Sequence, residues 1–225
     1  MMDNIVKSSV RNSLRDIGPL PEEAVFLGVA HDGPVLMNVK DRRAPNILVW
    51  DRTPKQGLQI LKVVSEYLLG RKSKTPIEFM VLTRFPEDWG QLNEYGMGIG
   101  GHTSCIGILP FYSDIADQAI ASLSAWFHRR ESSWKPFIVL IDGLENMQRV
   151  DDSTKMNLKY ILMHGRSRNV YVIGTSKMKY KDEILFWSDS FQHEIFGSDV
   201  EDVFETLEGD DKRTLIFSTP ISEIR

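Results

Sequence analysis

The feature that most constrains this sequence is an alternation between short, almost wholly apolar segments and amphipathic segments of helical period. Apolar runs of strand length occur at 46–50, 77–83, 105–110, 137–141 and 169–175. Between the first two runs, Leu58, Leu61, Val64 and Leu68 recur at three- and four-residue spacing, which is typical of a helix face. Strands that are apolar on both faces and alternate with helices form parallel sheets covered by helices on both sides. The sequence therefore predicts an α/β fold with a mostly parallel sheet.

Other segments complete the predicted architecture. Apolar runs at 25–30 and 34–39 are joined by His31-Asp32-Gly33, and an Asp-Gly pair supplies the positive φ that a tight hairpin needs. An N-terminal β-hairpin is therefore expected. Helices are predicted at 115–130 and 154–164. Two late strands are predicted at 191–196 and 213–218, with an acidic helix at 200–207 between them.

The boundary of the domain is marked by turn residues. The first 20 residues are polar and end in Gly18-Pro19-Leu20-Pro21, a combination typical of linkers. We therefore predict an N-terminal arm at 1–20 and a single α/β domain at 21–225.

Composition narrows the class of protein. The chain has 225 residues, a net charge of −4 and one cysteine, Cys105. A single cysteine excludes an internal disulfide framework, and Cys105 is expected to be a buried small hydrophobe. No apolar run reaches the roughly 18–20 residues of a membrane span, and the N-terminus lacks a signal-peptide core. A cytoplasmic chain without a membrane span is expected, and the scattered histidines predict no zinc site.

Several segments match the landmarks of one family in order and spacing. They are the hairpin at 28–35, the strand at 45–49 with its following loop, the helix at 120–130, a Walker B-like strand at 137–142, and an arginine-bearing segment leading into a strand at 164–176. Together they resemble the FtsK/SpoIIIE branch of P-loop motor ATPases, including the FtsK-like domains of type VII secretion ATPases. The resemblance covers roughly 20–218 and implies a RecA-like P-loop NTPase core with helices flanking the sheet.

Departures from the family pattern are concentrated in the phosphate loop. A working loop, G-x-x-x-x-G-K-[ST], needs glycines to wrap the phosphates, a lysine on the β/γ-phosphates and a hydroxyl on Mg²⁺. In this sequence Gly57 takes the lysine position, Leu58 takes the hydroxyl position, and Asp51, Pro54 and Gln56 replace glycines. Asp51 would also place a negative charge where an anion binds. The resemblance therefore predicts a vestigial nucleotide site for which no cofactor is expected, with Mg-ATP as the alternative.

The replacing residues match the start of an ordinary helix. Thr53-Pro54-Lys55-Gln56 has the pattern of a capping box with proline at the first helical position. Thr53 is predicted to accept the Gln56 backbone N–H, and the Gln56 side chain to accept the Thr53 N–H. Two interpretations stay open, an ordinary capped helix and a residual anion site that uses Arg52 and Lys55.

The Walker B-like strand is only half preserved. Asp142 stands at its end, where an aspartate would orient Mg²⁺, but the adjacent catalytic glutamate is Gly143 and the next glutamate is Glu145. Asp142 is thus the metal candidate, with a loop-capping role as the alternative, and Ser176 takes the sensor position. The predicted vestigial nucleotide-binding set is Arg52, Thr53, Lys55, Gln56, Gly57, Asp142 and Ser176. No catalytic residue is predicted.

Arg166 and Arg168 match positions where the family carries arginines. In an oligomer they would face a neighbour's nucleotide in trans. The alternative is a pair of solvent-facing arginines at a helix end, where they favour the carbonyl dipole.

Two other features bear on partners. The glycine-rich segment at 89–103 is either a mobile loop for protein contact or a flexible connection. Basic clusters at 40–43, 71–74 and 177–181 would contact nucleic-acid phosphates if they converged, whereas the acidic run at 201–211 would repel DNA.

The resemblance implies a catalytically degenerate FtsK-like domain. Such a domain would act as a protein-docking or regulatory module of a motor or secretion assembly, with an active FtsK-like ATPase or a second copy as its partner. The alternatives are a weakly active ATPase for DNA or protein translocation and a DNA-binding module without turnover.

Overall fold

The computed structural model describes residues 8–41, 44–71, 76–90, 92, 104–129, 135–200, 202–208, 213–222 and 224. Within these residues ten strands form one sheet. The strands are β1 (Ala24–Ala30), β2 (Gly33–Asn38), β3 (Ile47–Asp51), β4 (Glu78–Thr83), β5 (Cys105–Pro110), β6 (Phe137–Asp142), β7 (Val170–Lys177), β8 (His193–Gly197), β9 (Val203–Glu208) and β10 (Arg213–Ser218).

The strand order is β2-β1-β10-β9-β8-β3-β7-β6-β4-β5. From β8 to β5 all neighbouring strands run parallel, and from β8 to β2 they run antiparallel. β1 and β2 form a hairpin in which Ala30 pairs with Gly33, whose φ is 143°. The predicted α/β class, the mostly parallel sheet and the N-terminal hairpin are confirmed.

Helices flank the sheet. They are α1 (Val10–Ile17), α2 (Gln56–Gly70), α3 (Asp114–Arg129), α4 (Asp152–His164) and α5 (Leu185–Ser188). α3 and α4 confirm the helices predicted at 115–130 and 154–164. The α4 N-terminus is capped by Asp151, whose Oδ1 accepts the Thr154 N–H at 3.0 Å. No helix in the described part of the chain is both long and apolar enough to cross a bilayer.

The hydrophobic core consists of two layers, one on each face of the sheet. β3 contributes to both, because Ile47 and Val49 pack on the α2 side while Leu48 and Trp50 pack on the α4 side. These four side chains are at most 2% exposed. Each such buried side chain stabilises the fold by about 1.5–3 kcal/mol, which explains why this run has no polar alternation.

The acidic helix predicted at 200–207 is wrong, because Val203–Glu208 is the strand β9. Phe204 and Thr206 are buried while Glu205 is exposed, which is the period of two expected for a strand with one covered face. β9 pairs with both β8 and β10. Glu205 therefore lies on the solvent-facing side of a strand, not on the exposed face of a helix.

The predicted N-terminal arm includes the helix α1. Its Val10 is 1% exposed, and the Ser9 side chain accepts the Asn12 N–H at the helix start. Val10 also donates its N–H to Ile221 O at 3.2 Å. This part of the arm therefore packs on the domain and meets residues 219–222 and 224.

Some sequence predictions fall partly or wholly outside the described residues. In the glycine-rich segment, Trp89 and Leu92 are buried, but 91 and 93–103 lie outside that range. The same holds for 42, 43 and 72–74 of the basic clusters and for 201, 210 and 211 of the acidic run. Cys105 is confirmed as buried, at 2% exposure, and burial raises the pKa of its thiol to about 11.

Candidate functional site at the carboxyl edge of the sheet

The carboxyl ends of four neighbouring parallel strands bring polar side chains together. β3 and β7 pair so that Asp51 lies opposite Lys177, and β4 and β6 pair so that Thr83 lies opposite Asp142. Side chains of paired residues point to the same face of a sheet. Asp51, Lys177, Thr83 and Asp142 therefore share the face that α2 covers, together with Thr175.

The turn from β3 into α2 is closed by its own carboxyl group. The Gly57 N–H donates to Asp51 Oδ1 at 2.5 Å. A Cβ atom at position 57 would lie 2.6 Å from Asp51 Oδ1 and 2.6 Å from Thr175 Cγ2. Real Cβ atoms essentially never show such contacts, so only glycine fits here without displacing a neighbour.

Gln56 fills the centre of the loop. Its Oε1 accepts the backbone N–H groups of Arg52 at 3.1 Å and of Thr53 at 3.0 Å. Its Nε2 donates to Ser198 O at 2.8 Å and to Val200 O at 3.2 Å. Gln56 is 2% exposed, so a buried neutral amide joins this loop to the connection between β8 and β9.

The predicted capping box is confirmed in one half only. The Gln56 side chain does accept the Thr53 N–H, but α2 begins at Gln56 instead of Pro54. The residue before the helix, Lys55, has a left-handed backbone with φ 70°. Among the described residues the buried Thr53 Oγ1 has no hydrogen-bond partner. The start of α2 is capped by Asp51 instead of Thr53, because the Asp51 carboxyl at the end of β3 accepts the N–H of Gly57 in the first turn.

Burial changes the titration of Asp51, at which the sequence predicts a negative charge. Burial raises the pKa of Asp51 from 3.8 to about 7, against a smaller lowering by the Gly57 N–H. Asp142 and Glu145 raise this pKa further, whereas Lys177 lowers it. Asp51 Oδ1 accepts the Gly57 N–H, so this first-turn donor is already bonded within the chain.

Asp142 is held at the end of β6. Burial raises its pKa, while the Thr83 hydroxyl, which donates to Oδ2 at 2.7 Å, lowers it. The following Gly143 N–H donates to Thr175 Oγ1 at 2.9 Å. Glu145 is turned toward Lys177, 3.9 Å away. Within the described ranges, no three His, Cys, Asp or Glu side chains are grouped so that they could hold a metal ion.

The other predicted site residues are not brought together. Arg52 is paired with Asp199 at 3.6 Å, and Lys55 with Asp88 at 3.4 Å, all at the surface or near it. Ser176 lies opposite Trp50 and so points to the other face of the sheet. It is 1% exposed, and its Oγ has no partner among the described residues.

Arg166 and Arg168 lie at the other end of the strands, next to the amino end of β7. They belong to the 3₁₀ turn Gly165–Arg168, which immediately precedes β7. The length of β7 separates them from the carboxyl edge by roughly 26 Å, at about 3.3 Å per residue. They take no part in the arrangement around Asp51 in the same chain.

Sequence reasoning missed Thr83, Thr175 and Lys177. Ser176 was predicted at the sensor position, but it is the neighbouring Thr175 whose hydroxyl accepts the Gly143 N–H. The sequence held no signal for this choice, because it depends on the register in which Val49 pairs with Thr175, so that both point toward α2. A residue one position later in β7 points away from the loop.

A small groove lies on the outer side of the first two turns of α2. Its volume is about 190 Å³, and its lining includes Lys55, Gln56, Gln59, Lys62 and Asp202. Ordinary small-molecule pockets are larger, at about 300–1,000 Å³.

A largely parallel sheet flanked by helices, with a loop and helix after β3 and an aspartate at the end of β6, has the fold of RecA-like P-loop NTPases. No family model and no curated protein matches the chain. Among solved structures, Thermomonospora curvata EccC (ATPases 2 and 3) in complex with a signal sequence peptide aligns with 89% of this chain and 41% of its own, at 13% identity and a TM-score of 0.66. The cytoplasmic domain of EssC aligns with 95% of this chain and 46% of its own, at 13% identity and a TM-score of 0.69. A third structure, described as an ATPase, aligns with 96% of this chain and 94% of its own, at 10% identity and a TM-score of 0.70.

EccC is described as a type VII secretion ATPase. The chain spans less than half the length of the EccC and EssC structures. At these identities the likeness is one of fold. It confirms the predicted P-loop NTPase fold and its similarity to the ATPase domains of type VII secretion.

Proposed function

We propose that this chain is a P-loop NTPase-fold domain without nucleotide chemistry, which works as a protein-docking or regulatory module of a motor or secretion assembly. It would work on the cytoplasmic side of a membrane, since EccC and EssC were solved as cytoplasmic domains. Its partner would be an active ATPase of the same fold or a second copy of the chain.

The observation that carries the proposal is that backbone N–H groups after β3 are bonded to side chains of the chain itself. In a P-loop these N–H groups point at phosphate oxygens. Here Asp51 accepts the Gly57 N–H, and Gln56 accepts two loop N–H groups. Two side chains of the chain itself thus take the place of phosphate oxygens.

Three further features support this proposal. Gly57 leaves no room for a lysine at its position. Leu58 offers no hydroxyl for Mg²⁺, and the groove beside α2 is small for a nucleotide. Each missing charge-assisted contact removes about 1.5–3 kcal/mol, so two together lower the affinity by about a hundredfold to ten-thousandfold. Mg-ATP therefore does not fit the residues present.

The docking role is supported by the relatives of the fold. The EccC structure with ATPases 2 and 3 contains a signal sequence peptide, so a domain of this architecture can be part of a peptide-binding assembly. The sheet and both core layers of this chain are intact without phosphate contacts. They would give a partner protein a rigid surface to bind.

Calorimetric titration of the chain with Mg-ATP up to millimolar concentration tests the proposal, with an intact FtsK-type domain as positive control. We expect no heat of binding and no change in melting temperature. Binding tighter than roughly 100 μM, which is about −5.5 kcal/mol, would contradict it. Mg²⁺-dependent turnover that is lost in Asp142→Ala would establish a weak ATPase instead, and steeply salt-dependent binding to DNA would establish a DNA-binding module.

The choice between partners is tested by sedimentation velocity. A second copy as partner predicts a concentration-dependent increase in mass for the chain alone. A different ATPase as partner predicts a monomer that forms a larger species only after the active domain is added. A monomer that binds no ATPase of this fold contradicts the docking role.

A further inference from the structure

The outward face of α4 is apolar, although a helix on the surface of a sheet usually turns polar side chains to solvent. Leu158, Ile161 and Leu162 of α4 are buried in the core layer beneath the helix. Met156 and Met163 point the other way and are 61% and 59% exposed. They are seven residues apart, which is about two helical turns, so they lie on one line along the helix. α4 therefore carries a second apolar stripe that is open to solvent.

Tyr160 and the short helix α5 extend this stripe. Tyr160 is half-buried and follows Met156 by four residues, on the same side of α4. Phe186 of α5 lies beside the middle of α4, because Lys159 Nζ is 5.1 Å above its ring and donates to Phe186 O. Leu185 and Phe186 are 53% and 47% exposed. We call this contiguous patch the methionine face, which consists of Met156, Tyr160, Met163, Leu185 and Phe186.

Single exposed apolar side chains are ordinary, but a contiguous patch of them marks an interaction site. Methionine suits such a site because its flexible, polarizable side chain adapts to the surface that it meets. Apolar anchors at i, i+4 and i+7 are also the spacing by which one helix packs on another. The methionine face therefore fits an apolar helix as its occupant.

The charges along α4 favour a second copy of the chain as that occupant. The exposed Asp151 and Asp152 stand at the amino end of α4, and Arg166 and Arg168 follow its carboxyl end. Two copies of α4 that pack antiparallel bring the acidic end of each helix against the basic end of the other. Their helix dipoles are then also in the attractive order. A parallel arrangement would place like charges together, which is unfavourable.

The residue spacing of α4 fits a two-fold axis at the middle of the helix. With the axis between Lys159 and Tyr160, Met156 of one copy lies opposite Met163 of the other, and the symmetric pair repeats the contact. Lys159 then lies beside Tyr160 of the second copy, where an ammonium group over an aromatic ring is favourable. A two-fold contact requires a surface that is complementary to itself, and the methionine face meets this requirement.

We propose that the methionine face is a self-association surface, on which a second copy of the chain packs with its α4 antiparallel about a two-fold axis. The inference rests on the docking role proposed above, because it names a surface and an occupant for that role. An interface of so few side chains belongs to the weak class, which buries less than about 1,200 Å² in total. We therefore expect a dissociation constant of roughly 10–100 μM.

Sedimentation velocity of the full chain at concentrations of about 5 to 500 μM, which bracket that constant, tests the surface and its register. We expect a monomer–dimer equilibrium for wild type. Met156→Glu and Met163→Lys, each alone, should weaken association by about tenfold or more, because each places a charge against a methionine. The double variant should recover association, since the two introduced charges are opposite in sign and face each other across the axis.

The matched control is Ile216→Lys. It introduces a charge at a position that is also apolar and 51% exposed, on β10, four strands away from the β7 strand that α4 contacts. This variant should associate like wild type. Thermal melting followed by circular dichroism checks that each variant is folded, so that a loss of association is not a loss of the domain.

Several outcomes would overturn the inference. Equal association of Met156→Glu and Ile216→Lys would place the contact elsewhere on the chain, and the docking role would stand. Growth beyond a dimer, or a double variant as weak as its single variants, would contradict the two-fold register. Wild type that stays monomeric at the highest concentration would exclude the second copy as occupant. The docking role then stands if this monomer binds an active ATPase of the same fold, and fails as well if it does not.

Discussion

Replacement of Asp51 by asparagine tests the electrostatics of the candidate site directly. Asparagine keeps an acceptor oxygen for the Gly57 N–H but carries no charge at any pH. Burial is the main reason that the pKa of Asp51 lies near 7, with the Gly57 N–H opposing it and Asp142 and Glu145 adding to it. The variant therefore removes the charge while leaving the hydrogen bond.

The magnitude follows from the two pKa values. The pKa is 3.8 for an ordinary aspartate and about 7 in the folded chain. One pH unit corresponds to about 1.36 kcal/mol, so the displacement corresponds to at most about 4 kcal/mol. Between pH 4 and pH 7 the folded chain binds a proton that the unfolded chain has released. The wild-type free energy of unfolding therefore falls as pH rises through this range and levels off above it.

The assay is urea unfolding of wild type and Asp51→Asn between pH 4 and pH 8. We expect the free energy of unfolding of the variant, relative to wild type, to rise by up to about 4 kcal/mol across the range. The control is Asp51→Ala, which removes charge and acceptor together. It should show the same pH dependence, offset downward by about 1–3 kcal/mol because the Gly57 N–H loses its partner.

Parallel curves for wild type and Asp51→Asn would refute this reasoning. They would mean that the Asp51 carboxyl is already ionised at pH 4–5 in the folded chain. An NMR titration of the carboxyl carbon locates the same event, and a midpoint near 4 would contradict the described burial.

Three shorter predictions concern the crowding at Gly57, the hydrogen bonds of Gln56 and the burial of Cys105. Gly57→Ala should lower the free energy of unfolding by about 1–3 kcal/mol in urea, because its methyl group meets Asp51 and Thr175. Gln56→Ala should lower it by about 2–4 kcal/mol, since two loop N–H groups lose their acceptor in a buried site. Cys105 should not react with a thiol reagent at pH 8 in the folded chain, because the thiol is buried and its pKa is about 11; ultraviolet absorbance of the released chromophore follows the reaction.

The two substitutions have matched controls, and the Cys105 prediction has an outcome that would contradict it. Gly70→Ala, at the end of the same helix with no atom within 4 Å of the added Cβ, should stabilise by about 0.5–1 kcal/mol. A loss at Gly70 as large as at Gly57 would contradict the crowding argument. Gln148→Ala, which removes an exposed glutamine bonded to Glu183 O, should change stability by less than about 0.5 kcal/mol, and a Gln56→Ala variant as stable as this control would show that the loop does not need its amide. Full labelling of Cys105 without urea would contradict its burial.

Much of the fold could be predicted because its strands are apolar on both faces. Ile47, Leu48, Val49 and Trp50 need no context to be identified as a central strand. β9 could not be identified in this way, since its outward acidic side chain resembles a solvated helix face until the pairing partners are known. Strand order was also beyond the sequence, because it depends on pairings between distant segments.

The candidate site was predictable in outline but not in contacts. That Gly57 and Leu58 do not fit the phosphate-loop pattern is visible from the sequence alone. Which oxygen caps Gly57 is not, because Thr53 and Asp51 are both near in sequence and only the direction of the chain after β3 decides between them. The choice between Thr175 and Ser176 likewise depends on strand register, which fixes the side of the sheet each residue faces.

The crowding at Gly57 also bears on which substitutions this loop accepts. A lysine introduced at this position would place its Cβ 2.6 Å from both Asp51 Oδ1 and Thr175 Cγ2, and would destabilise the fold whatever its ammonium group contacted. Asp51 would have to change as well, because its carboxyl lies in the space that a side chain at position 57 needs. The two positions are therefore coupled, and the residue at 51 decides which side chains position 57 accepts.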